Sequence, residues 1–343
     1  MFISAVLALL MAQAPDLAAL SALPTEPEPA SITRGQHYWI GNEDRLDLFY
    51  NDIVDLGGMH IGVGAEQNWL LCGWSRCEVL LLMDCDQAVV DLHNAYIATF
   101  AETPTREGFL ELWRDRTRKA SRAAVITRYD GRQALGALKA VDVGRWSIER
   151  RFARLITQLS TRQLPSFLTD DAQYAHLHEL AAASRVFAVR GDLTAKKTVI
   201  AIGAAAIAAP IEVRTLYLSN AEQYFKYNKQ TRKNLLSLPI GGRSVVMRTH
   251  GDNDMGYAAD DAADGHNYHY GVQTGESFRA FIADSSVTSS RQILHWSTPL
   301  LEAGASKQTS TSPRDAKAAW ETTKKTAKAK KATASTKQQS TTP

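Results

Sequence analysis

The chain has 343 residues, 45% of them apolar and 22% charged, which suits one large or two ordinary globular domains and excludes a fibrous or low-complexity protein. Its net charge of +3 is unevenly placed: residues 303–343 hold nine Lys/Arg against two Asp/Glu, leaving thirty basic and thirty-four acidic residues in 1–302. A mildly acidic body excludes a general electrostatic attraction of that body to nucleic acid.

The chain opens on MFISAVLALLMAQAP, an apolar run ahead of Ala12-Gln13-Ala14. That pattern is either an export signal cleaved after residue 14 or an apolar helix packed on the body. No Lys or Arg precedes the run, Pro15 follows the cut, and the run is too short to span a bilayer. Residues 15–31, rich in Pro, Ala and acid, read as a linker into a body at about 32–302. Strands are predicted at 59–64, 78–86, 185–192, 211–220 and 243–250, with 267–274 and 291–298 closing the sheet. The second is continuously apolar, as a strand covered on both faces must be. Helical spacing follows at 88–102 and again in a core helix at 199–211, while 103–184 carries mainly charged helical pattern and no strand signal. The expected fold is therefore α/β and Rossmann-like: a mostly parallel sheet of about seven strands, with a helical insertion at 103–184 between the second and third. Residues 303–343, almost all Lys, Ala, Thr, Ser and Gln, read as a disordered basic tail. It is either a solubilising extension or a weak contact for anionic polymers.

Three cysteines, Cys72, Cys77 and Cys85, lie within fourteen residues. The count is odd and no histidine stands at a zinc-binding interval, so they read as buried free thiols. The segment 251–266 is the most acidic of the chain and lies among His250, His266 and His269. It lacks the calcium-loop spacing and reads as a solvated mobile loop, so no metal is expected.

The chemistry is carried by Gly62-Val63-Gly64-Ala65-Glu66-Gln67-Asn68. A lone Gly-x-Gly is weak; it gains weight when it follows a strand, opens a helix and has an acid about twenty residues on. All three hold, with Asp84 at the tip of the second strand and Asp86 as its alternative. Glycines let the backbone turn sharply and approach a ligand, and a strand-tip acid accepts ribose hydroxyls. Glu66 stands where a pyrophosphate would lie, which favours a nucleoside such as S-adenosylmethionine over NAD. The same acids also suit the simpler role of capping the helix at 88.

The segments GVGAEQNW, LLLMDCD, VRGDLT and LYLSNAEQYF together resemble a family of uncharacterised bacterial proteins with a class I methyltransferase-like Rossmann core, over roughly 35–300. The resemblance implies that Gly62 and Gly64 line the methionine side of the cofactor, that Asp84 holds the ribose, and that Asp192 stands near the adenine amine. It implies further that Ser219, Asn220, Glu222, Gln223 and Tyr224 face the ligand after the fourth strand. Asn220 or Glu222 would then orient or deprotonate the acceptor, with Ser219, Gln223 and Tyr224 on the substrate side. Nitrogen-directed methyltransferases often carry Asn/Asp-Pro-Pro-aromatic there; this chain has Ser-Asn-Ala-Glu, so no acceptor class carries over. Two functions are expected: an S-adenosylmethionine-dependent methyltransferase, or a non-enzymatic scaffold of that shape, exported if the N-terminal run is cleaved.

Overall fold

The computed structural model describes residues 16–28, 37–251, 255, 268–300 and 304–339, with side chains as far as 326. The expected signal over 1–14 and nearly all of the acidic loop lie outside the described residues. The strands are β1 (Met59–Val63), β2 (Val79–Asp84), β3 (Val186–Arg190), β4 (Val213–Tyr217), β5 (Val245–Gly251), β6 (Tyr268–Thr274), β7 (Thr298–Pro299) and β8 (Ala305–Gln308). They form one α/β sheet in the order β3-β2-β1-β4-β5-β6-β8-β7. β1 to β5 are mutually parallel, β6 runs antiparallel to β5, and β8 runs beside β6 with β7 at the edge. The order 3-2-1-4-5 is doubly wound, and it reverses direction between β1 and β4.

β2 shows why the sheet is buried on both sides. Leu80 and Leu82 point into one apolar cluster, and Val79, Leu81 and Met83 into the other. The first cluster is closed by α1 (Gln67–Ser75), by α2 (Gln87–Glu102) and by four helices that follow it before β3. These are α3 (Arg106–Leu112), α4 (Arg118–Arg128), α5 (Gly131–Thr161) and α6 (Asp171–Ala182). α5 buries Ala137, Val141, Ile148, Phe152 and Leu155, which recur at helical spacing and face the core. The second cluster is closed by α7 (Thr198–Ala208), α8 (Lys229–Ser237) and α9 (Gly275–Ala283).

Four expectations are corrected. The strand expected at 291–298 is instead α10 (Ser290–His295) and the two-residue β7. The tail is not disordered over 304–326: it supplies β8 and begins α11 (Pro313–Gln339), with Ala316 buried and Trp320 packed on the second cluster. β8 has no apolar signature because hydrogen bonds settle its polar side chains. His269 pairs with Ser306 at 2.7 Å and the Gln308 amide donates to the Trp296 carbonyl at 2.8 Å. The described part of the linker, 16–28, is docked rather than free. Leu20 is buried, and Glu26 accepts bonds from the backbone N–H groups of Asp192, Lys197 and Thr198 at the start of α7. Finally, Cys72 and Cys77 are not free thiols but a disulfide closing the C-terminal end of α1; Cys85 is free.

Candidate ligand cleft at the carboxyl edge

In doubly wound sheets ligands gather beyond the carboxyl ends of the strands, near the reversal. Here that edge carries the Gly64 turn after β1, Asp84 to Asp86 after β2, Asp192 after β3 and Ser219–Asn220 after β4. Gly64 has φ +98°, a backbone that side chains disfavour. Its carbonyl accepts the His93 Nε2 proton at 2.7 Å.

Both glycines make room for the chain's own side chains. A Cβ on Gly62 would stand 1.8 Å from the Asn68 carbonyl oxygen, and one on Gly64 2.6 Å from the Gln67 amide. Asn68 donates to the Val63 and Ala65 carbonyls and accepts from His60 Nε2; the other His60 nitrogen accepts from Thr215. Burial pushes His60 down to about 4, so the ring is neutral in this network.

Glu66 does not face a ligand, which removes the ground for rejecting NAD. It is fully buried, accepting Arg151 Nε at 2.7 Å and the Gly41 N–H at 2.7 Å. Arg151 also donates to Asp44 and to the Glu43 carbonyl. The Glu43 carboxylate is itself fully buried above β1 and β4, where it accepts from Ser219, Gln67 and Thr249. Residues 41–45 thereby seal the edge at the reversal. Sequence reading missed Glu43 and Arg151; the one signal was a cation at a core position of the α5 spacing.

The residues after β4 divide. Ser219, at φ +49°, is held by Glu43, and the Asn220 amide donates to the Tyr268 hydroxyl at 3.3 Å. Gln223 accepts the Gly251 N–H, and Tyr224 is 67% exposed. Glu222 corrects the expectation of a base. It is 1% exposed, with one oxygen accepting Tyr227 OH at 2.6 Å and the other Arg248 Nε at 2.6 Å. No acceptor can reach it without breaking that pair.

The β2 end is different. Asp84 keeps partial solvent contact and accepts the Asp86 N–H at 2.9 Å. Burial pushes its carboxyl up to about 6; the N–H bonds pull the other way and the Asp86 charge adds to the rise. Asp86 caps α2 through the Ala88 N–H at 2.8 Å, so the capping reading holds for it, and its second oxygen meets His37 at 2.9 Å. Asp192 spends one oxygen on the Thr194 N–H and hydroxyl in its own turn. Burial, and the charges of Asp84, Asp192 and Asp86, push the Cys85 thiol up to about 12, leaving it unreactive. Beside Asp86 opens a cleft of about 210 Å³, lined by His37, Trp39, Asp86, Asp91, Gly136 and Lys139.

Residues 38–337 match a family described as a domain of unknown function, DUF7790. The chain belongs to that family. No curated protein matches it.

Proposed function

We propose that this DUF7790 protein is a Rossmann-like small-molecule binder. Its nucleoside-type ligand, with S-adenosylmethionine as first candidate, enters beside the tip of β2. The observation that carries the reading is half-buried Asp84 at the tip of β2, whose carboxylate accepts the N–H of Asp86, a residue that lines the adjoining cleft. Asp84 would accept the ribose hydroxyls, and Trp39 and His37 offer ring faces to a base. The charge favours a neutral or cationic nucleoside: Asp86 and Asp91 line the cleft against the single cation Lys139, an arrangement that repels pyrophosphate. The cleft, at about 210 Å³, is smaller than the ~300–1,000 Å³ usual for ligand pockets, so the segment 37–40 that carries His37 and Trp39 must shift to admit a whole nucleoside. The helices between β2 and β3 act as an insertion that supplies the outer wall.

Methyl transfer would need little beyond alignment of donor and acceptor. With Glu222 paired to Arg248, Asn220 is the residue left to orient an acceptor. The second reading, a non-catalytic scaffold in an oxidising compartment, is favoured by the buried Cys72–Cys77 disulfide. Calorimetric titration of the full chain with S-adenosylmethionine, S-adenosylhomocysteine and NAD tests the first. Micromolar binding of the first two that weakens in Asp84→Ala supports it; no binding below millimolar leaves the scaffold. Thiol counting on the unfolded, unreduced native protein tests the second, which expects Cys85 alone to react.

A further inference from the structure

Four of the nine exposed large apolar side chains among the described residues sit on one helical hairpin: Ile126 at 61%, Leu135 at 70%, Val143 at 54% and Trp146 at 64%. Scattered single apolar residues are ordinary, but grouped ones mark an interaction surface. These are grouped. On α5, Arg132, Leu135, Lys139, Val143, Trp146 and Arg150 follow one another at intervals of three and four, opposite the residues that α5 buries. α4 joins the same face through the Arg122–Asp142 ion pair. Ile126 is one turn from Arg122, and Trp146 is one turn from Asp142. Arg150 lies over the Trp146 ring at 4.5 Å.

We infer that this outer face of α4 and α5 docks on an anionic phospholipid surface. Charge complementarity selects the occupant. The face carries Arg118, Arg132 and Arg150 as exposed cations, with Lys139 at its border on the cleft, while Asp142 is neutralised by Arg122. Two copies of such a face would repel each other, which argues against a self-interface. It is the outer face of α5, about 46 Å long at 1.5 Å per residue, and the space beside α4 is bridged by the ion pair. With the space beside α4 bridged, the face offers no groove for a peptide helix and suits a plane better. Trp, Leu and Val enter the headgroup boundary, the Arg and Lys stems lie along it, and their charged ends meet lipid phosphates. No helix of the described residues is long and apolar enough to cross a membrane, so the attachment is peripheral.

The test is co-sedimentation of the full chain with vesicles of phosphatidylcholine alone and of phosphatidylcholine mixed with phosphatidylglycerol. Binding is expected to the mixed vesicles only, and to vanish near 1 M salt, where the screening length falls to about 3 Å. Leu135→Ser/Trp146→Ser and Arg132→Glu/Arg150→Glu change exposed residues only, and each should lower the partition by about tenfold or more. Equal binding to both vesicle types, no binding to either, or wild-type binding by both variants would overturn the inference, the first two at the wild type and the third at the variants. The last would move the lipid contact to the basic α11. Conversion of a dimer to a monomer by the apolar variant would also overturn it, making the face a self-interface.

Discussion

The two halves of the carboxyl edge hold similar residues in opposite states. On the β4 side, Glu43, Glu66 and Glu222 are buried with every carboxylate oxygen engaged, two of the three by an arginine. On the β2 side, Asp84 keeps solvent contact, and Asp86 meets its partners at the wall of a cleft. An acid's position after a strand therefore says where a ligand could lie, but its partners decide whether it is available. A buried carboxylate held by an arginine is costly to disturb and contributes shape; a half-buried one with a raised pKa is poised to bind.

The comparison breaks most visibly if Arg151 is removed. Arg151→Met leaves Glu66 buried without its cation and should cost about 3–5 kcal/mol by urea unfolding. Adding Glu66→Gln should recover part of that loss. If Arg151→Met alone costs under about 1 kcal/mol, the β4 side is not sealed by charge pairing. Deleting 304–343 removes β8 and the Ala316 and Trp320 contacts, so the truncated chain should melt several degrees lower.

Gly64→Ala tests the turn between the two sides. It forces a side chain into φ +98° and against Gln67, and should destabilise by about 1–3 kcal/mol. A neutral effect would mean that the turn relaxes at no cost.

The smallest stability effect has the opposite sign. Folding raises the Asp84 carboxyl to about 6 from its ordinary 3.8, so the native state favours the protonated form. That contribution is fully present below about pH 4 and is lost as pH rises through 6. Asp84→Asn should therefore stabilise the protein at pH 7 by about 1–2 kcal/mol, a gain absent at pH 4. A loss of stability at pH 7 would show that the carboxylate, not the acid, suits the fold.

Much of the fold was legible. β2 announced itself by an unbroken apolar run, and α2 and α5 by their spacing, because burial of side chains leaves a periodic trace. β8 left none, since its Ser306 and Gln308 are buried by hydrogen bonds to His269 and Trp296, which only tertiary contact reveals. The Cys72–Cys77 pairing was likewise hidden, because the odd thiol Cys85 masked it in the count. At the site, the glycine turn and strand-tip acids could be located from sequence. That Asn68 and Gln67 fill the space over Gly62 and Gly64, and that residues 41–45 seal the reversal, depends on contacts between segments far apart in the chain.

The contrast between the two sides is tested most directly by amide hydrogen exchange with and without S-adenosylhomocysteine. The account predicts added protection at 37–40 and 84–88, where the ligand enters and the covering segment closes. It predicts no change at 219–224. Protection confined to 219–224, or none anywhere at saturating ligand, would contradict it.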